Sequence, residues 1–206
     1  PTPVSAYLHS ATMVKAGIFL LALLYPVLAG TELWFLLVSL AGLMTFLLGA
    51  YVAMFKHDLK GVLAYSTISH LGLITLLLGL NTELAAVAAL FHIMNHAVFK
   101  ASLFMAAGII DHETGTRDMR ELSGLWRFMP YTATLTMVSA LSMAGIPLFN
   151  GFLSKEMFFA ETLEQAVFGS LSWMVPLLAT VGGVLSVAYS LRFIKDVFFK
   201  GEPEAL

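Results

Sequence analysis

Three lysines stand inside apolar runs. Lys15 lies between Ala11–Val14 and Ala16–Leu24, Lys100 closes Phe91-His92-Ile93-Met94-Asn95-His96-Ala97-Val98-Phe99-Lys100, and Lys155 ends Gly151-Phe152-Leu153-Ser154-Lys155. A charge carried into hydrocarbon is costly, so each lysine marks a candidate functional position. His92, His96 and Lys100 follow an i, i+4, i+8 spacing. On a helix they share one face within an arc of about 80° and rise about 12 Å along the axis. Two imidazoles and an amine in a file suit a proton relay. Histidine exchanges protons near neutral pH, and a lysine can release and retake one when its surroundings change. Other readings stay open: the lysines can snorkel to the headgroups or form structural ion pairs. His92 can be a packed core histidine, and a His pair at i, i+4 can share a metal. The metal reading lacks a nearby carboxylate to complete the shell.

His70 ends a polar patch, Tyr65-Ser66-Thr67-Ile68-Ser69-His70, that suits either interhelical hydrogen bonding or the relay. His9 precedes Lys15 by six residues and so takes a different face of a common helix. Glu156 adjoins Lys155, and sequence neighbours on a helix do not face each other, so Glu156 is expected to pair with another element. Glu161 and Glu164 read as interfacial.

The elements that must position these groups are written in the composition. Of 206 residues, 59% are hydrophobic and 12% are charged. A soluble domain carries about 25% charged residues. Lys plus Arg number 11 and Asp plus Glu 13, too few to clothe a soluble globule of this size, to make a nucleic-acid surface or to keep a chain disordered. Cysteine is absent, which excludes thiolate metal sites, Fe–S clusters and disulfides within the chain. There is no phosphate-binding Gly loop, Ser–His–Asp arrangement or dinucleotide fingerprint. No cofactor or metal is expected, and nothing points to hydrolysis or redox chemistry within the chain.

Residues 33–55, 61–82, 128–154 and 165–191 contain no Asp, Glu, Lys or Arg, and 4–29 and 84–110 contain one lysine each. About 20 helical residues cross a hydrocarbon core, and open backbone groups are not tolerated there, so the runs read as helices. The expected fold is all-α: a polytopic membrane bundle of about six helices near 4–28, 33–56, 59–80, 83–110, 128–160 and 171–199. The fifth would be about 50 Å long if continuous, which overshoots the bilayer. Its centre, Gly145-Ile146-Pro147-Leu148-Phe149-Asn150-Gly151, predicts a broken helix near 145–151, with a simple proline kink as the alternative. Pro1-Thr2-Pro3 reads as a helix start, without an initiator Met, so the chain is expected to be part of a longer one. The polar stretch 111–127 predicts a short surface helix near Arg117–Leu125.

Lys56 and Lys60, then Arg117, Arg120 and Arg127, then Arg192, Lys195 and Lys200 fall on alternate connections. By the positive-inside rule both ends of the segment are cytoplasmic, in the cell membrane.

The chain resembles the proton-translocating antiporter-like family, the large membrane subunits of respiratory complex I and of Mrp-type cation/proton antiporters. The resemblance rests on Pro1-Thr2-Pro3-Val4-Ser5-Ala6, His9-Ser10-Ala11-Thr12-Met13-Val14, Asp58-Leu59-Lys60-Gly61-Val62-Leu63-Ala64-Tyr65-Ser66-Thr67-Ile68-Ser69-His70-Leu71-Gly72, the Phe91–Ala101 stretch and Gly151-Phe152-Leu153-Ser154-Lys155-Glu156. Within the family it is most similar to the large A-type subunits of Mrp antiporters, through Met13-Val14-Lys15-Ala16-Gly17, Gly108–Asp118 and Phe149–Glu156. The resemblance implies a single partial antiporter-like domain over 1–206, matching most of the second of two inverted repeats, with Lys15, Lys100 and Lys155 on a buried polar axis and His92 and His96 between them. It implies a transporter rather than an enzyme: the proton half-channel of a multisubunit Na⁺/proton antiporter, with Lys100 as central switch and Lys155 as terminal exchange site. The expected partners are other hydrophobic subunits, protons, a monovalent cation and the lipid bilayer, with no nucleic acid. The rival readings are a redox-driven relative in complex I or a membrane hydrogenase, and a non-conducting helical scaffold.

Overall fold

The computed structural model describes residues 2–164 and 173–201. Pro1 and the expected first two residues of the last helix, 171–172, lie outside the described residues. The elements are helices: α1 (Thr2–Ser10), a 3₁₀ turn (Met13–Lys15), α2 (Ala16–Leu28), α3 (Glu32–Phe55), α4 (Leu59–Gly79), α5 (Glu83–Thr114), α6 (Pro130–Ala144), α7 (Asn150–Glu164) and α8 (Met174–Ile194), which runs into a π-helical turn (Lys195–Phe199).

The turns set the helix starts. Thr31, Asp58 and Thr82 accept hydrogen bonds from the amides of Trp34 (3.2 Å), Gly61 (2.6 Å) and Ala85 (3.1 Å). Each is an N-cap worth about 1 kcal/mol. Gly115 and Gly145, at φ 71° and 81°, close α5 and α6 in the left-handed conformation that glycine adopts without strain.

Large apolar side chains cover the outside of the bundle as well as its core, and polar side chains are buried among them. Leu33, Leu37, Leu48 and Phe55 of α3 face outward, as do Phe19 and Val27 of α2. Lys100, His92, His96, His70, Ser66, Ser154 and Ser186 are fully or almost fully buried. A bundle in lipid gains nothing by hiding leucine and must satisfy its polar groups internally. Helices α3 and α4 accordingly meet through glycine: Gly42 lies against the Leu76 backbone, Gly49 against that of Ser69 and Gly72 against that of Phe46. A methyl group at any of the three would overlap the facing chain.

Five stretches are long and apolar enough to cross a membrane: Ala6–Leu28, Glu32–Phe55, Leu59–Gly79, Glu83–Thr114 and Met174–Phe199. Helices α6 and α7 have 15 residues each, about 22 Å apiece and individually short of the core thickness. Together they make the broken fifth span, interrupted at residues 145–149.

Two expectations are corrected. The first span is not continuous: α1 stops at Ser10, and Thr12 (φ −119°, ψ −87°) leaves helical geometry before the 3₁₀ turn. The Thr12 hydroxyl turns back towards the Tyr7 carbonyl (3.4 Å), the local side-chain competition that weakens helices at Ser and Thr. The stretch 111–127 contains no separate helix: α5 continues to Thr114 and turns follow. Met119, Leu122 and Leu125 are buried there, so the segment packs into the core instead of lying on the surface.

Those turns tie one end of the bundle together. The Met119 amide donates to the His57 carbonyl (2.8 Å), the Leu59 amide to Arg117 (2.9 Å) and the Leu125 amide to Val197 (3.3 Å). Arg192 reaches His57 Nδ1 (2.8 Å) and the Met54 carbonyl, and Lys60 pairs with Asp111 (2.8 Å). At the other end, Glu161 is buried against the start of α5, where it accepts from the Thr82 hydroxyl (2.5 Å).

Candidate functional site

The break between α6 and α7 creates the first feature of the site. A helix end leaves carbonyls without intrahelical partners and carries partial negative charge. At the end of α6, the Ala144 carbonyl accepts from the Lys155 amine (2.9 Å). The break is clamped by amides: Asn150 Nδ2 donates to Asn95 Oδ1 (3.0 Å) and Asn95 Nδ2 to the Asn150 carbonyl (3.1 Å). Ser142 Oγ donates to Asn150 Oδ1 (2.5 Å) and accepts from the Gly151 amide (3.3 Å). Gly151 sits so close to the Ser142 carbonyl that no side chain fits. The clamp fixes α7 and thereby Ser154 and Lys155 one turn further on.

From Lys155 a continuous hydrogen-bonded chain crosses the bundle. The amine donates to Ser186 Oγ of α8 (2.8 Å), which lies 3.1 Å from the Tyr189 hydroxyl. Tyr189 is 3.3 Å from His70 Nε2 on α4. His70 Nδ1 is 2.9 Å from His92 Nε2 on α5, and His92 Nδ1 is 2.9 Å from Ser154 Oγ, back on α7. Ser154 donates to the Gly151 carbonyl (3.1 Å). Four helices contribute, and Lys155, Ser186, Tyr189, His70, His92 and Ser154 are all buried.

The other sequence-marked groups are placed differently. Lys100 donates to the Leu63 carbonyl (3.0 Å) and to the Ser66 hydroxyl, both on α4. Lys15 donates to the Ile93 carbonyl of α5 (3.0 Å). His96 is fully buried, and neither ring nitrogen has a hydrogen-bond partner among the described residues. Its ring centroid lies 5.5 Å from that of His70. His92, His96 and Lys100 thus share a helix face but are not bonded in file: His92 turns across to α4 and α7. His9 stacks on Phe104 at 5.3 Å, outside the chain of bonds. Glu156 is exposed beside Lys155 in a groove of about 560 Å³ between α7 and α8 and makes no ion pair among the described residues, so the expected pairing with another element is absent there. Among the described residues no set of three His, Asp or Glu side chains is placed to hold a metal ion.

Ser186, Tyr189, Ser154, Asn95 and Asn150 do not stand out in the sequence as the lysines do. The available signal was polarity in apolar surroundings: Ser186 and Tyr189 lie three apart, on one face of an otherwise apolar helix.

Comparison with known proteins places this arrangement. The model of the family described as NADH:quinone oxidoreductase/Mrp antiporter, TM matches residues 1–187. A probable K(+)/H(+) antiporter A/B subunit of Rhizobium meliloti (strain 1021) is 69% identical over all of this chain and 20% of its own length. The Na(+)/H(+) antiporter A subunit of Bacillus subtilis (strain 168) is 51% identical over 96% of this chain and 27% of its own. A chain in the structure of the Mrp complex from Dietzia sp. DQ12-45-1b superposes with a TM-score of 0.89 at 46% identity, over 94% of this chain and 22% of that one. The chain therefore spans between a fifth and just over a quarter of the relatives' lengths. The match extends over most of the spans that carry the buried lysines and histidines, and the chain belongs to the NADH:quinone oxidoreductase/Mrp antiporter transmembrane family, as a multi-pass membrane protein.

Proposed function

We propose that this chain forms the proton-transferring part of the large A-type subunit in a multisubunit monovalent cation/proton antiporter, a transporter that works with other hydrophobic subunits. The observation that carries the reading is the buried run of exchangeable groups from Lys155 to His92, inside a bundle whose outer face suits lipid. A scaffold needs no such run, because burying lysine and histidine costs free energy that apolar packing would not. The names of the relatives, one a K(+)/H(+) and the other a Na(+)/H(+) antiporter component, support exchange of protons for a monovalent cation. In this reading Lys155 exchanges protons at one end of the path, Lys100 switches its central part, and His92 and His96 stand between. Lys15 extends the polar axis towards α5, His70 joins Tyr189 to His92 within it, and His9 and Glu156 lie beside it. The basic turns around Lys56, Arg117 and Arg192 face the cytoplasm, which puts both ends of the segment on that side.

The test uses the full-length protein in its assembled complex, in everted membrane vesicles carrying a proton gradient. Lys100→Ala and Lys155→Ala are expected to abolish dissipation of the gradient on addition of Na⁺ or K⁺. Exchange at the wild-type rate in both variants would leave the scaffold reading standing.

A further inference from the structure

Lys155 and the histidine pair do not touch. Among the described residues the hydrogen bonds that lead from the Lys155 amine to the pair pass through the hydroxyl groups of Ser186 and Tyr189 on α8. We infer that Ser186 and Tyr189 are the proton-conducting link of the antiporter, carrying a proton between the Lys155 amine and the His70–His92 pair. The inference rests on the relay reading above and extends it to residues outside the lysine and histidine set.

With Lys155 protonated, the hydrogen bonds accommodate a single-file polarity. A protonated Lys155 is a donor only, so Ser186 Oγ accepts from it and directs its own hydrogen to Tyr189. Tyr189 then donates to His70 Nε2, which leaves the His70 hydrogen on Nδ1, pointing at His92 Nε2. His92 keeps its hydrogen on Nδ1, donating to Ser154, and Ser154 donates to the Gly151 carbonyl, which can only accept. Between the two ends, Ser186, Tyr189, His70, His92 and Ser154 each accept from one neighbour in the chain and donate to the next, as a transfer wire requires.

The transfer balances. The N–H bond of the Lys155 ammonium breaks as a Ser186 O–H bond forms. The former Ser186 hydrogen moves to the Tyr189 oxygen, and the Tyr189 hydrogen to His70 Nε2. The His70 hydrogen on Nδ1 moves to His92 Nε2. Lys155 ends as a neutral amine and His92 as an imidazolium. Ser186 and Tyr189 end neutral with their hydrogens reversed, and His70 ends neutral as the other tautomer. One positive charge has moved from α7 to α5 without any ion crossing between them. The longest separation, 3.3 Å between Tyr189 and His70, is the step most sensitive to helix displacement.

A purely structural alternative is that Ser186 and Tyr189 only satisfy Lys155 and His70. The two accounts differ in what they predict for rate against affinity. Tyr189→Phe keeps the ring and removes the hydroxyl, and Ser186→Ala removes the other. In the full complex in vesicles, each is expected to lower the maximal rate of cation-driven proton movement about tenfold or more, at an unchanged cation concentration for half-maximal response and with wild-type levels of assembled complex. Should Tyr189→Phe fail to assemble, Ser186→Ala decides. A maximal rate within about twofold of wild type in an assembled variant, in vesicles where Lys155→Ala abolishes exchange, overturns the hydroxyl link. If Lys155→Ala also retains exchange, it is the relay reading that falls.

Discussion

Lys155 and Lys100 have the same immediate partners, one helix carbonyl and one serine hydroxyl, and differ in everything beyond them. Lys155 is bonded to the Ala144 carbonyl and Ser186, and Lys100 to the Leu63 carbonyl and Ser66. Ala144 is at the end of α6, where the break frees its carbonyl for the amine. Leu63 lies inside α4, and its carbonyl already accepts the hydroxyls of Ser66 (3.0 Å) and Thr67 (2.8 Å). Ser186 leads onward to Tyr189, whereas Ser66 returns its hydrogen to the same carbonyl that holds Lys100. Under the proposed relay, the difference between the two sites lies beyond the lysine. There it depends on where the serine leads: Ser186 passes on to Tyr189, and Ser66 donates to a carbonyl of its own helix.

The sharpest way to break this contrast is at the junction. His70 bonds to both Tyr189 and His92, while His96, one ring away, bonds to nothing among the described residues. His70→Phe is expected to slow exchange about a hundredfold in vesicles, on the scale of losing a positioned proton-transfer group. His96→Phe is expected to cost about tenfold, since it removes a titratable group but no bonded link. The reverse order of effects would mean that the path runs along α5 and not across α4.

Next in size is the scaffold that sets His70. Gly49 and Gly72 hold α4 against α3 backbone to backbone, whereas nothing lies within 4 Å of a side chain added at Gly17. Gly72→Ala is expected to destabilise by about 1–3 kcal/mol through overpacking, read as a lower thermal aggregation midpoint of the detergent-solubilised complex. Gly17→Ala should leave that midpoint alone. Equal midpoints for the two variants would show that the α3–α4 contact does not fix the site.

A smaller effect is expected at Ser66, which holds Lys100 but passes no bond onward. Ser66→Ala removes one of two partners of Lys100 and no onward link, so exchange should fall no more than about threefold, well short of Ser186→Ala. A loss as large as that of Ser186→Ala would erase the distinction between the two lysines.

The sequence made some of this legible and left the rest dark for physical reasons. Hydropathy and run length exposed the spans, because crossing hydrocarbon allows few exceptions. Pro147 between Gly145 and Gly151 exposed the broken helix, and isolation among apolar residues exposed the buried lysines. The interruption after Ser10 carries no proline or glycine and so left no comparable signal. Glu156, expected to pair with another element, is exposed and makes no ion pair among the described residues, and Glu161 is buried against Thr82. Whether a carboxylate finds a partner depends on another helix, which its spacing along the sequence does not encode. The same holds for Tyr189, whose meaning depends on the rotation of α8 against α4, a quantity that hydropathy does not encode.

The smallest predicted effect lies outside the membrane, where the contrast between lysines gives way to a contrast in environment. Asp118 is an anchor of the connection after α5. Its carboxylate accepts from the Arg120 guanidinium (2.9 Å) and the Arg120 amide (2.9 Å), which hold its pKa down to about 2 from the ordinary 3.8. A depressed carboxylate contributes order above its ordinary value and loses it as the pH falls through the depressed one. Protection of the Arg120 amide, corrected for intrinsic exchange, should therefore be level from neutrality to about pH 4 and decline towards pH 2. Asp118→Asn should speed exchange at this amide a few-fold at pH 7, since a partly exposed pair is screened by water and contributes little. Cation exchange should be unchanged, because the pair lies on the ring of turns that ties the helix ends and not on the path from Lys155. A variant that keeps full protection, or a wild-type loss already at pH 6, would remove Asp118 from this role. A transport defect in Asp118→Asn would instead connect the turns to the relay and shift the functional boundary from α8 to the end of α5.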